Sequence, residues 1–206
     1  MRYTINMLLI IGLGNPDAKY RNTRHNVGFM VLDRVMRKLL PVGKSKWQEV
    51  KRLKSLVVEG ENFVLAKPQV AMNVNGLAVN KLISNFKFKI SDLLIVHDDL
   101  DLPLGQIKIV QKRGSAGHRG VESVIANLES DDFWRVRVGI GRPLVRGSKS
   151  GFKHENDSSK GVVDYVLSTF AQWEKQKAYR VVNKAAKLVV QAVGEGVERV
   201  EGKHGI

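Results

Sequence analysis

The sequence predicts an α/β fold: a single-domain, three-layer arrangement in which a mixed, twisted β-sheet carries helices on both faces. Three observations predict it. Two segments, "MLLIIGLG" (7–14) and "DLLIVHDD" (92–99), are almost wholly apolar until an abrupt polar turn, as strands buried on both faces must be. Stretches with apolar residues at helical spacing alternate with the strands, which favours a sheet covered by helices. A length of 206 residues with 43% apolar content suits one sizeable core.

After the first strand, "NVGFMVLDRVMRKLL" places Val27, Val31, Val35 and Leu39 four apart with Met30 on the same side, an amphipathic helix. "SLVVEG" and "NFVLAKP" read as strands joined by a turn at Gly60 to Asn62, at the less buried end of the sheet. "VNGLAVNKLISNFK" is a second helix, and "DLLIVHDDLDLPLG" repeats the opening logic of an apolar strand with a polar end. An alternating strand "GQIKIVQK", a helix "HRGVESVIANL" and a strand "FWRVRVGIG" follow. Residues 142–160 lack apolar periodicity and read as a mobile, lid-like surface loop. "TFAQ" fits a capping box, Thr169 at N-cap and Gln172 three on, opening a last helix with an apolar face from Ala178 to Ala192. Gly194 is expected to stop that helix, leaving 194–206 as a frayed tail. Met7 is an alternative start, which would make 1–6 an N-terminal extension.

A formal charge of +14, from 34 Lys and Arg against 20 Asp and Glu, makes a polyanion the first partner to consider: nucleic acid, then an acidic membrane surface. The absence of cysteine excludes disulfides and thiolate metal sites and suits a reducing cytoplasm. No apolar run approaches the length of a membrane span, and the opening segment lacks a cleavage pattern, so no membrane span and no signal peptide is expected, and nucleic acid rather than a membrane is the expected partner.

Open sheets of this kind place function at the carboxyl ends of their strands. Three such ends carry polar groups: Asn15 after the first strand, "KPQVAMN" after another and "HDDLD" after a third. The glycines Gly12 and Gly14 fail the dinucleotide fingerprint, because Pro16 intervenes and Asp17 holds the sixth position, so they serve a sharp turn out of the strand. His25, between Arg24 and Asn26 at a loop-to-helix junction, is poorly placed for a core residue and can act as a base near neutral pH if a carboxylate fixes its tautomer. Asp98, Asp99 and Asp101 are candidates; Asp98 is nearest the strand end, while the other two also suit the turn before Pro103. No metal is expected, since no further ligand cluster accompanies "HDDLD". With cysteine absent, no G-x-S-x-G elbow and no evident partner for Ser115, water is the remaining nucleophile. Asn15 and Asn73 are neutral amides that can hold a carbonyl and the attacking water, or can equally cap helices.

The segments "IIGLGNPDAKYRNTRHNVGF", "KPQVAMNVNG", "IVHDDLDLPLG", "GHRGVESVI" and "RVRVGIGRP" together resemble the bacterial-type peptidyl-tRNA hydrolases, in that family's order and over most of the chain. The resemblance implies a cytoplasmic, cofactor-free monomer that hydrolyses the ester between a peptide and the 3′ end of tRNA. It implies His25 as general base, Asp98 as the carboxylate that orients it, and Asn15 as a selector of blocked over free aminoacyl ends. It further implies Asn73 as a binder of the peptide backbone, with Tyr20 and Met72 lining the pocket. Arg119 departs from the family, which commonly has Asn there; a guanidinium only donates, so Arg119 is a substrate-binding candidate of altered role. For tRNA phosphates, Lys108, Arg135 and Arg137 are the preferred contacts, with Lys112, Arg113, Arg142, Arg146, Lys149 and Lys153 also in view. Because Arg135 and Arg137 flank Val136, they are expected to share one face. The alternative reading is a non-catalytic RNA-binding protein on the same fold.

Overall fold

In the computed structural model of the chain, the described residues are 7–41, 43, 46–142, 144–147, 151–154 and 159–206; the proposed extension 1–6, the start at Met1 and Lys149 lie outside them. The first apolar run forms β1 (Leu8–Gly12), buried along its whole length. β1 lies between two parallel neighbours, β4 (Phe63–Pro68) and β5 (Leu93–Asp99), both buried throughout. Helices cover both faces of these central strands, which is why all three read as continuous apolar runs rather than alternating ones.

Beyond β4 come β3 (Ser55–Glu59) and the short edge strand β2 (Gln48–Val50), both antiparallel. Beyond β5 come β7 (Trp134–Gly139), parallel, then β6 (Gln106–Gln111) and β10 (Gly202–Gly205), antiparallel. The sheet thus has eight strands in the order β10-β6-β7-β5-β1-β4-β3-β2. Helices α1 (Val27–Leu39) and α5 (Lys175–Glu195) pack together over one face, and α2 (Asn75–Phe86) and α3 (Arg119–Leu128) over the other. Two apolar clusters result, one around Ile10, Leu65, Val136 and Val189, the other around Leu9, Ile11, Ile95 and Val121. Burying those faces from water drives the layering.

Several expectations need correcting. Residues 194–206 are not frayed: α5 runs through Gly194 to Glu195 and ends at Gly196 (φ 98°), and the tail returns as β10 against β6. The backbone bonds of an edge strand hold a segment that lacks an apolar stripe, which is why side-chain pattern alone missed it. Within 142–160, β8 (Leu144–Gly147) and β9 (Gly151–His154) pair as an antiparallel hairpin, and α4 (Ser159–Val166) follows; 143, 148–150 and 155–158 lie outside the described residues. Thr169 caps no helix. It bridges Thr23, while α5 begins at Lys175, and Glu174 rather than Gln172 satisfies the backbone of Ala171 with its carboxylate at 2.7 Å.

The glycine pair is structural, but for a different reason than a sharp turn. Neither Gly12 nor Gly14 has positive φ; instead a Cβ on Gly12 would meet the Gly28 carbonyl oxygen at 2.5 Å, and one on Gly28 would meet the Leu13 carbonyl oxygen at 2.5 Å. The first turn of α1 therefore rests directly on the end of β1, and this contact delivers His25, just upstream, to the strand ends.

Candidate active site

β1 leads to β4 on one side while the chain returns through α2 to β5 on the other, so the carboxyl ends of these strands flank a topological switch point. An open cleft of about 280 Å³ lies there, lined by Asn15, His25, Met72, Asn73, Asp98 and Arg119 among others. His25 arrives on a short 3-10 turn (Arg24–Asn26) anchored from both sides. Buried Arg24 donates to the Thr169 carbonyl and to Glu174, each at 2.5 Å, and to Ser168 Oγ at 2.7 Å, with its guanidinium 4.3 Å above the Tyr165 ring. Asn26 clasps the backbone of Asn15, accepting from its N–H and donating to its carbonyl at 2.9 Å each. Two of the polar residues around His25 are thus scaffold, roles that sequence reasoning did not assign.

His25 Nδ1 lies 2.9 and 3.0 Å from the two carboxylate oxygens of Asp98, which is only 2% exposed. Asp98 also meets His118 Nε2 at 2.9 Å, a partner the sequence reading missed although "GHRG" contains it. His118 is the N-cap of α3: its Nδ1 accepts from the backbone N–H groups of Gly120 and Val121 at 3.1 and 3.2 Å. An accepting Nδ1 leaves the proton on Nε2, so His118 donates to Asp98. His97 packs its ring 4.8 Å from that of His118; fully buried, it is held neutral by desolvation, well below the ordinary imidazole value.

Burial alone would raise the pKa of Asp98, but the two histidines more than offset it and hold the carboxyl far below its usual range. Burial pushes His25 down; the charge and hydrogen bond of Asp98 outweigh this, Arg119 opposes them, and the net shift is upward. Asp98 therefore stays ionised and fixes the His25 tautomer with Nδ1 protonated, leaving the Nε2 lone pair as the basic site. His25, Asp98 and His118 are also residue types that bind metals, their candidate ligand atoms lying within 4.8 Å of one another. The capping bond argues against that use, because it leaves His118 Nε2 protonated and without a lone pair for an ion.

Asn15 Oδ1 accepts from the Met72 N–H at 2.9 Å, so its Nδ2 is the end with donors to spare, and Asn15 lines the cleft. Asn73 is exposed on the cleft wall and caps neither neighbouring helix; Met72 is buried at the floor. Asn75, which the sequence reading passed over, ties the loops together by donating to Val70 and Ala71 carbonyls at 3.1 and 2.9 Å. Arg119 opens α3 on the cleft rim, exposed. Tyr20 stands apart: it is half-buried outside the cleft lining, with Lys19 4.9 Å over its ring.

The expected phosphate clamp is overturned in part. Arg135 and Arg137 do share a face with Lys108, but they are 1% and 3% exposed. Arg137 pairs with Asp99 at 2.5 Å, and Arg135 donates to the carbonyls of Arg113 and Gly114. Arg135 thus supports the loop that carries His118 and Arg137 the turn after β5, and an Arg so enclosed is not placed to meet a phosphate. Lys108 remains half-exposed, beside Lys203 on β10, while Arg142 pairs with Asp101 at 2.6 Å. Asp99 and Asp101 do form the turn, through Asp101 N–H to Asp99 Oδ1 at 2.9 Å.

An open α/β sheet whose strand ends hold an imidazole backed by a buried carboxylate, with amides alongside, is the architecture of a general-base hydrolase. The chain belongs to the peptidyl-tRNA hydrolase family, whose model matches residues 9–204. It is 43% identical over 196 residues to the peptidyl-tRNA hydrolase of Desulforudis audaxviator, covering 93% of this chain and 90% of that one. To the enzyme of Persephonella marina it is 39% identical over 190 residues, 92% and 93% of the two chains. A crystal structure of peptidyl-tRNA hydrolase from Acinetobacter baumannii shares the fold, with a TM-score of 0.76 at 24% identity over 98% of this chain and 97% of that one. None of these relatives lends support to a non-catalytic RNA-binding role. Among the described residues no helix is long and apolar enough to cross a membrane.

Proposed function

We propose that the protein hydrolyses the ester joining a peptide to the 3′ end of tRNA, with water activated by His25. The observation that carries this reading is the 2.9 Å contact of His25 Nδ1 with the buried carboxylate of Asp98 at the mouth of the cleft. His25 Nε2 takes a proton from water as the oxygen attacks the ester carbonyl; the resulting imidazolium is stabilised by Asp98 and returns the proton to the departing ribose oxygen. Ester and water are consumed, and a free carboxylic acid and the tRNA hydroxyl are formed.

The amide of Asn15 supplies selectivity. Its Nδ2 donors pair with the carbonyl oxygen of a blocked amino group, whereas a free ammonium offers only donors and meets donors. Asn73 and Met72 line the path of the peptide, and Arg119 faces the substrate from the rim. Lys108 and its neighbours on the sheet edge contribute phosphate contacts; Tyr20 contributes at the loop surface rather than in the pocket. The protein acts in the cytoplasm as a single-domain monomer, without metal or cofactor, on peptidyl-tRNA.

The test is to incubate the purified protein with tRNA carrying an N-acetylated amino acid, in the presence of a chelator. Release of the acetylated amino acid, with unblocked aminoacyl-tRNA spared, is expected. Failure to release either one, with or without added divalent ions, contradicts the reading.

A further inference from the structure

A second groove, of about 410 Å³, lies between α1 and α5 and is lined by Asn22, Met30, Arg34, Lys175, Phe170 and Tyr179 among others. Its composition is unlike that of a core defect. Met30 and Arg34 stand one turn apart on α1, and Lys175 and Tyr179 one turn apart on α5, so the groove is walled by two cations over an apolar floor. No carboxylate lines it among the described residues. Arg34 lies 4.5 Å above the Tyr179 ring, and its buried Nε has no hydrogen-bond acceptor. Tyr179, in the groove lining, is 57% exposed, and Trp173, two residues before Lys175 and outside that lining, is 85% exposed.

Guanidinium and ammonium groups beside open aromatic rings form the surface that single-stranded or terminal nucleic acid favours, phosphates on the cations and bases on the rings. The groove lies on the other side of the Thr23–Thr169 bridge from the catalytic cleft. Thr23 bridges Thr169, so one side of this junction carries His25, Val166 and Leu167 into the cleft, and the other carries Asn22, Thr169 and Phe170 into the groove. We infer that the groove between α1 and α5 is a second tRNA-binding site, in which Arg34 and Lys175 hold backbone phosphate and Tyr179 with Trp173 stack on bases outside the catalytic cleft. The inference rests on the reading that peptidyl-tRNA is the substrate, and it extends the bound RNA across the Thr23–Thr169 junction.

The test compares the wild type with the Arg34→Gln/Lys175→Gln double variant and with Trp173→Ala. For each, binding of uncharged tRNA is measured over a series of salt concentrations, and hydrolysis of N-acetylated aminoacyl-tRNA is followed under saturating and limiting substrate. The double variant is expected to bind tRNA about tenfold more weakly, with the slope of log affinity against log salt reduced by about two, one per lost phosphate contact. The loss falls on KM and not on kcat, and Trp173→Ala weakens binding severalfold without changing the salt slope. Wild-type affinity and salt slope in the double variant overturn the second site. If the wild type releases no amino acid while the variants still lose tRNA affinity, the hydrolase reading fails and the binding site stands.

Discussion

His118 Nε2 donates to the same Asp98 oxygen, at 2.9 Å, that receives His25 Nδ1 at 2.9 Å. One carboxylate is therefore held from two sides, and its second holder is itself fixed by the backbone of α3. Removing His118 takes away a charge-assisted hydrogen bond and a helix cap at once. His118→Ala should lower kcat by about 10- to 100-fold and cost about 1 kcal/mol of stability. With one donor fewer, Asp98 attracts the His25 proton more strongly, so the acid limb of the pH–rate profile should move to higher pH. An unchanged profile contradicts a positioning role.

In the proposed mechanism catalysis needs neutral His25, whose pKa lies above the ordinary imidazole value because Asp98 outweighs burial. Activity should fall as pH drops through that raised value, above about 6.5. Folding stability runs the other way. The raised His25 pKa contributes stability that is fully present below its unfolded value and lost as pH rises through the folded one. The depressed Asp98 pKa contributes stability present above its unfolded value and lost as pH falls. The pair stabilises most between about pH 4 and 6.5, on the acid side of the activity optimum. Asp98→Asn should cost about 10²- to 10⁴-fold in kcat, and its stability deficit in denaturant titrations should be larger at pH 5.5 than at pH 8.

Arg119 opposes protonation of His25 from the cleft rim. Arg119→Asn, which replaces the guanidinium by a neutral amide, should raise the His25 pKa and carry the acid limb to higher pH. Profiles of kcat/KM for the two proteins measure this directly. A shift to lower pH, or none, removes Arg119 from the electrostatics of the base.

Arg137 and Asp99 are buried partners at 2.5 Å. Arg137→Ala leaves Asp99 charged and enclosed, and should destabilise the fold by about 3–5 kcal/mol in thermal or denaturant unfolding. A residue that merely gripped phosphate from the surface would instead raise KM and leave stability untouched.

What was legible in the sequence follows from what generates a sequence signal. β1, β4 and β5 announced themselves because strands enclosed on both faces must be apolar throughout. His25 and Asp98 could be paired because each stands where an apolar element turns polar. β10 and the β8–β9 hairpin were missed because their strands are defined by backbone pairing. Arg135 and Arg137 were misjudged for a related reason: alternation reveals a shared face but not what covers it, and the partners that enclose them come from Asp99 and from residues 113–114. The cap that sets the His118 tautomer depends on the direction of two backbone N–H groups, which no residue pattern encodes.

The central claim is that His25, oriented by Asp98, is the base that activates water. It is tested most directly by single-turnover release of an N-acetylated amino acid from tRNA by His25→Ala, alongside tRNA affinity in the same preparation. A rate reduced by about 10²- to 10⁴-fold with tRNA binding near that of the wild type is the predicted result. Release at the wild-type rate by a folded, tRNA-binding His25→Ala protein would contradict it.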